Sequence, residues 1–598
     1  MRSYRTTPLQ RPSARTALLA GALLLASGLT GAAGESDRVM EWRQYPVPYG
    51  TPETPRPPDQ AFLKLLPPLN PQGNVSDENR ARGFVVWWPD YGQNLYAEQP
   101  PTDADLALKP SVRTPPGEDE PVLLALWGLR DLGPAAVTVE KPPFPVTVRT
   151  LEFEPRPVPG DYFDDHVEGG RVVGFPTYLP PESSAAITTG RNTVFWLTVS
   201  VPAETAPGQY ALTLRLQPAD ADEIRLPITV EVLPFRLPPA PIAYGMYFRP
   251  SAQTLKNPRD RTPERLRYYW TDLARHGMTS VTLYNYTRLH DADGNLNLDG
   301  VPAMEQLQDM IEAGLVTADV PIMFLDGGGI DLKHPRAAEI LAAFKVEIAR
   351  RGWPEFLYYG PDEPAVNEQS LATFQALQSV RKYFRLITAI SDHAATTYAA
   401  LLDVFVVNLG RTSPEIQAVA AANNVELWNY TCHNRGRGNA PMQRHYAGLY
   451  TWALGLRGNF IWAYTENYTR ENGQYLPWSP IYCYVVPGDE GVIPSVAWEA
   501  RREGVEDYRL LVLLEKLLQQ NPDSDTARRA RTWLEETRKR VDWNVTRDMP
   551  PTLYPWDGPE LYPLCPNIAP REFAGIRRRA VDFILQTRRR TPAALPAE

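Results

Sequence analysis

Asp362 and Glu363 stand side by side in the run Glu355-Phe356-Leu357-Tyr358-Tyr359-Gly360-Pro361-Asp362-Glu363-Pro364. An apolar, aromatic stretch leads into them, and Pro361 and Pro364 bracket them. Proline fixes its own φ and restricts the residue before it, so Gly360 and Glu363 are expected in extended backbone. Two carboxyl groups on stiff backbone at a strand end suit acid/base chemistry, because like charges in contact raise one of the two pKa values. The bland alternative is a strand that ends in a solvated acidic turn. These residues alone do not separate the two.

The elements around the pair narrow the choice. From residue 243 the pattern alternates strand and helix. Strands are expected at 243–248, 280–285, 320–326, 355–359, 385–391, 403–408, 425–431 and 459–464. Helices are expected at 263–276, 302–314, 335–351, 367–383, 396–402, 414–423 and 441–456. Thr262 followed by Pro263 is a helix start with its cap. Eight strands alternating with helices imply a parallel (β/α)8 barrel of the TIM type, whose chemistry lies at the C-terminal strand ends. Those ends read Tyr247, Tyr284 with Asn285, Asp326, Asp362 with Glu363, Ser391 with Asp392, Asn408, Trp428 with Asn429 and Tyr430, and Trp462 with Tyr464. Such a mouth, rich in rings and amides and poor in cations, suits a sugar. Rings stack on its apolar face, and amides and carboxylates bond its hydroxyls. Any one of these rings can instead belong to the barrel core.

Residues 35–240 read as an all-β sandwich, with short strands such as 122–127, 194–201, 210–216 and 224–232 separated by Pro, Gly and Asp turns. A Pro-rich joint at 234–241 separates this region from the barrel at 241–520. Residues 465–494 read as a long loop over the barrel mouth. Leucines at 510, 511, 513, 514, 517 and 518 mark an amphipathic helix, and 521–598 reads as a helical extension.

Arg2, Arg5, Arg11 and Arg15, then an apolar run at 17–29 and the small residues Gly31-Ala32-Ala33-Gly34, read as a signal peptide over 1–34. The run is shorter than the ~20 residues a membrane span needs, so export without a remaining span is expected. The formal net charge of -9, with no long basic run, argues against nucleic acid as a partner. Cys432, Cys483 and Cys565 permit one disulfide at most and lack metal-site spacing. Gly327-Gly328-Gly329 lacks the context of a phosphate loop. No metal and no cofactor are expected. Arg444, after the seventh strand, reads as half of a structural salt bridge.

Three motifs carry a resemblance: YYGPDEP at 358–364, WNYTC at 428–432 and GDEGVIPSVAWEARREGVEDY at 488–508. Together with Gly117-Glu118-Asp119-Glu120-Pro121, they resemble the glycoside hydrolase family 123 over roughly residues 75–520. Ala497 and Glu490 depart from the family pattern. The resemblance implies a glycosidase similar to β-N-acetylgalactosaminidases and β-N-acetylhexosaminidases, retaining, with the substrate's own 2-acetamido group as nucleophile. Glu363 would be the general acid and base, and Asp362 would orient the acetamide. Trp428, Tyr430, Trp462 and Tyr464 are expected to line the acetamido pocket; Tyr247, Asn408 and Asn429 are expected to bond hydroxyls. The partner implied is a glycan or glycoconjugate. Two other readings stay open: a glycosidase for another sugar, and a secreted carbohydrate-binding protein without activity. No GxSxG or HExxH motif supports a barrel esterase or peptidase.

Overall fold

The computed structural model describes residues 75–158, 171–431, 440–465, 483–544 and 567–589, apart from 94, 253, 256, 327, 328 and 521. It also gives the backbone of short strands at 39–41, 62–65, 470–471 and 474–475. The expected signal peptide, Cys432, Cys565 and residues 466–469, 472–473 and 476–482 of the loop expected over the mouth lie outside the described residues; the end of that loop is described, and in it Val485–Pro487 pairs antiparallel with Val492–Pro494.

Two sheets share a core in the N-terminal region. One orders Phe84–Trp87, Asp119–Gly128, Asn192–Ser200 and Val146–Thr150; the other orders Ser184–Ile187, Leu132–Glu140, Gly208–Pro218, Ile224–Val232 and Ser111–Thr114. Leu212, Leu214 and Leu216 alternate inward from the second sheet and meet Leu124, Leu126, Phe195 and Leu197 from the first. Residues 123, 125 and 127 face a second apolar layer with Trp87, Leu95 and Trp196. Burial on both faces explains why Val122-Leu123-Leu124-Ala125-Leu126-Trp127 is unbroken apolar sequence.

Eight parallel strands follow. They are β1 (Ala243–Tyr247), β2 (Thr282–Asn285), β3 (Ile322–Asp326), β4 (Phe356–Tyr359), β5 (Leu386–Ile390), β6 (Val404–Asn408), β7 (Glu426–Thr431) and β8 (Gly458–Trp462). They pair in the order β1-β8-β7-β6-β5-β4-β3-β2. Just before β2, the Thr279 and Ser280 N–H groups both donate to the Tyr244 carbonyl at 2.9 Å, which brings the two end strands together in a nearly closed barrel. Parallel neighbours need long connections, and helices supply them. Thr262 caps Pro263–Arg275, Asn367 caps Glu368–Arg381 and Ser413 caps Pro414–Ala422, each accepting a backbone N–H. Ala243, Tyr247, Met323, Leu357, Tyr359, Ile387, Val404, Val406, Trp428 and Phe460 fill the interior. The residues between them pack against the helices. No helix among the described residues is long and apolar enough to cross a membrane.

The connection after β7 differs from the single helix its pattern predicts. It is helical at Ala440–His445, widens to a π turn at Tyr446–Tyr450 and returns to α at Thr451–Ala453. The Thr451 hydroxyl and the Asn459 amide both donate to the Tyr446 carbonyl, at 2.7 and 3.1 Å. Side chains inserted into a helix ladder in this way bulge it. Here Gly448 and Gly504 let the segment meet the long helix Val496–Gln520 at backbone contact. A Cβ on Gly504 would lie 2.5 Å from the Arg444 carbonyl oxygen.

The first half of that long helix carries Glu499, Arg501, Arg502, Glu503, Glu506 and Asp507, all buried. Their partners come from distant sequence. Arg444 bonds Asp507 at 2.7 Å, as its reading as a salt-bridge residue expects. Arg577, on the C-terminal helix Phe573–Arg589, bonds Glu503 and Glu506 at 2.7 Å each, and also Glu120 of the N-terminal region. Arg509 makes a forked pair with Glu118 at 2.7 and 2.8 Å, and Arg275 reaches Asp119 at 2.7 Å. The acidic stretch at 118–120 and the charged helix therefore form one ion-pair seam. Within it, oxygens of Glu120, Glu503 and Glu506 lie within 4.8 Å of one another. The Arg577 guanidinium donates to all three, filling the position a cation would take.

Candidate active site

Asp362 and Glu363 follow β4 at the C-terminal face of the barrel. Their loop is laced to β5. The Gly360 N–H donates to the Ile387 carbonyl at 2.8 Å, the Glu363 N–H donates to the Ala389 carbonyl at 3.0 Å, and the Thr388 hydroxyl donates to the Pro361 carbonyl. The two side chains then part. The Tyr359 hydroxyl, on the same strand, donates to Asp362 Oδ1 at 2.7 Å. Glu363 instead reaches across the mouth to β7, where the Tyr430 hydroxyl donates to its Oε1.

This crossing corrects one expectation. Glu363 is not extended: its φ is +42°, in the left-handed region that side chains other than glycine seldom occupy. The preceding-proline rule is overridden by two anchors, the backbone bond to β5 and the side-chain bond to Tyr430. A non-glycine residue held there by its surroundings is a common mark of a functional position.

The Tyr359 oxygen also accepts the Ala389 N–H at 3.1 Å, and towards an ionised Asp362, which can only accept, the hydroxyl donates. Burial pushes the Asp362 carboxyl up, the Tyr359 bond pulls it down, and the neighbouring Glu363 charge pushes it up; the net direction is upward. Burial likewise pushes the phenols of Tyr247 and Tyr359 well above their ordinary value, so both stay protonated donors.

Tyr247 stands beside this pair, within reach of the Asp362 charge. With Tyr284, Trp462, Phe248, Arg249, Thr254, Ala463 and Thr465 it lines a shallow open depression. The Tyr247 and Trp462 rings lie 5.4 Å apart, and the Arg249 guanidinium sits 5.5 Å from the Tyr284 ring and 6.0 Å from that of Trp462. Asn408 ends β6 in register with Tyr430 and, by strand parity with Val404 and Val406, faces inward.

Of the residues expected at the mouth, Tyr430 bonds Glu363, Tyr247 lies within reach of the Asp362 charge, Trp462 packs on Tyr247, and Asn408 ends β6 facing inward. Trp428, Asn429 and Tyr464 are placed elsewhere. Trp428 is wholly buried one layer down, stacked on Phe460 at 5.5 Å with its indole N–H on Glu426. Asn429 points to the helices and bonds the Thr412 hydroxyl at 2.9 Å. Tyr464 lies past the end of β8 on the helix side, donating to Asp272 at 2.7 Å. Tyr359 and Arg249 were missed. Parity along β4 is the signal for Tyr359, since it shares a face with Leu357. For Arg249 the sequence offers only its place two residues after Tyr247.

Tyr359→Phe tests the role of that hydroxyl. Losing a bond to the ionised form raises the Asp362 pKa further. The carboxyl is therefore expected to titrate at higher pH in the variant, read by carbon NMR of labelled aspartate. An unmoved titration would show that the hydroxyl only packs.

Residues 336–514 match the family model described as glycoside hydrolase 123, catalytic domain. The chain is similar in fold to a family 123 glycoside hydrolase from Clostridium perfringens, described for glycolipid glycan hydrolysis. The TM-score is 0.59 at 12% identity, over 85% of this chain and 99% of that one. A Bacteroides ovatus GH5 xyloglucanase aligns at TM-score 0.24 and 9% identity, over 66% of this chain and 98% of that one. No curated protein matches the sequence. Residues 336–514 thus carry the match to a glycoside hydrolase 123 catalytic domain, which makes this chain glycoside hydrolase 123-like and a glycoside hydrolase, while the likeness to the Clostridium perfringens structure shows the fold they share.

Proposed function

We propose that this chain is an exported, retaining β-N-acetylhexosaminidase, of the β-N-acetylgalactosaminidase kind, that uses the substrate's 2-acetamido group as nucleophile. It would act on a (β/α)8 barrel braced by an N-terminal β-sandwich. The observation that carries the reading is the parting of two adjacent carboxyl groups onto different tyrosines. Retaining glycosidases with an enzyme nucleophile set two carboxyl groups about 5 Å apart on either side of the scissile bond. Sequence neighbours whose side chains diverge suit two separate tasks better than one such pair.

Glu363 protonates the glycosidic oxygen as the C1–O bond breaks. The acetamide oxygen forms a new bond to C1, giving an oxazolinium ion. Asp362, ionised, accepts the acetamide N–H and stabilises the positive charge. Water then attacks C1 and gives a proton to the Glu363 carboxylate, which reopens the ring and restores the acetamide. Tyr430 holds Glu363 against the mouth, Tyr359 holds Asp362, and Tyr247 and Trp462 offer faces to the sugar. The glycolipid glycan described for the Clostridium perfringens relative supports a glycan substrate.

The test is turnover of aryl β-glycosides of N-acetylgalactosamine, N-acetylglucosamine, galactose and glucose. Cleavage of the acetamido sugars alone is expected; cleavage of the plain galactoside or glucoside would discard substrate assistance. Asp362→Asn is expected to lower kcat about 10²-fold with KM little changed, because the orienting acceptor acts mainly on the charged transition state. Near-normal turnover in that variant would remove the mechanism.

A further inference from the structure

Tyr286 is an anomaly beside this site. It follows β2 directly, at the mouth, and is 66% exposed. Its ring lies 6.4 Å from that of Tyr284 at an angle of 21°, so two tyrosines present nearly parallel faces. Tyr284 lines the depression next to Trp462 and Tyr247, which places Tyr286 one ring further out on the same surface.

The exposed ring is also held. Buried Asn285 donates its amide to the Thr287 carbonyl at 2.8 Å and accepts the Thr287 N–H at 3.2 Å, clasping the backbone on either side of Tyr286. Further along, the Leu289 N–H donates to the Gly329 carbonyl at 2.7 Å, tying this loop to the one after β3. The Arg249 guanidinium, 5.5 Å from the Tyr284 ring, adds N–H donors at the edge of the shelf. A large aromatic surface left in water on a clasped loop is preorganised for something flat and partly apolar.

We propose that Tyr286, with Tyr284 beneath it and Arg249 at its edge, is a subsite for a second pyranose ring of the same glycan, one unit removed from the sugar at Asp362 and Glu363. The C–H face of the ring stacks on Tyr286, and its hydroxyls accept from Arg249. The inference rests on the glycosidase reading above and deepens it: the substrate is an oligosaccharide chain, and a lone N-acetylhexosaminide uses only part of the site.

The measurement is the ratio of kcat/KM for a trisaccharide to that for the aryl monosaccharide glycoside ending in the same sugar. In Tyr286→Ala the ratio is expected to fall about fivefold to tenfold, the size of one aromatic stacking contact. Tyr286→Trp is expected to restore it. An unchanged ratio in the alanine variant would overturn the subsite. If the wild type turns over neither substrate, the enzymatic reading fails by itself, and the subsite is then judged by titration calorimetry with the trisaccharide. Binding five- to tenfold weaker in Tyr286→Ala supports the subsite, and equal affinity overturns it.

Discussion

Glu363→Gln is expected to lower turnover of a glycoside with a sugar or alkyl leaving group by about 10³-fold, while a dinitrophenyl glycoside of the same sugar loses far less. A poor leaving group needs its oxygen protonated as the bond breaks, and a positioned acid contributes roughly 10²- to 10⁴-fold to such a step. An activated phenol leaves as an anion and needs no proton. Glutamine keeps the shape of the side chain and an oxygen to accept from Tyr430, so the crossing of the mouth survives and only the proton is removed. Comparable losses on both substrates would assign Glu363 to binding or folding.

Arg577→Ala is expected to destabilise the whole protein by about 3–5 kcal/mol, read as a lower midpoint in urea unfolding. The guanidinium is buried and donates to Glu120, Glu503 and Glu506, and removing one partner of a buried ion pair leaves charge without compensation. The loss should depend on pH. Burial already pushes Glu120 up to about 8, and it pushes Glu506 well above the carboxylate range. A raised folded pKa gives stability that is complete below the unfolded value of about 4.5 and fades as pH rises through about 8. The variant, lacking the cation that lowers both, should go on losing stability above about pH 8, where the wild type's loss from Glu120 levels off. A midpoint equal to wild type would mean that the C-terminal helix packs independently of the seam.

Much of the barrel was legible because its strands are buried on both faces and its helices begin with capped, often proline-led turns. Val404-Phe405-Val406-Val407 and Phe356-Leu357-Tyr358-Tyr359 are apolar throughout for that reason. The carboxylate pair and its place after β4 were legible too. The direction of side chains was less so. Reading strand ends as a list treats Trp428, Asn429 and Tyr430 alike, although parity sends Asn429 outward and depth leaves Trp428 in the core. Tyr464 was misplaced because β8 ends at Trp462, two residues earlier than its apolar pattern. The π turn depends on Thr451 and Asn459 reaching the same carbonyl, which no periodicity records. The charged run from 499 to 507 carries no local sign in sequence of its distant partners. It is buried because its counter-charges arrive from residues 118–120, 444 and 577, far along the chain.

With Glu363 as the acid proposed above, its backbone would set folding against activity at a single residue. At φ +42° glycine is the relaxed choice, and a glutamate there gives up stability of the order of 1 kcal/mol. Selection for heat tolerance alone would therefore tend to erase the acid. A lineage freed from hydrolysis would gain by the same change while its barrel stayed whole. Silent descendants of this protein should thus be marked at one position well before their architecture shows any decay.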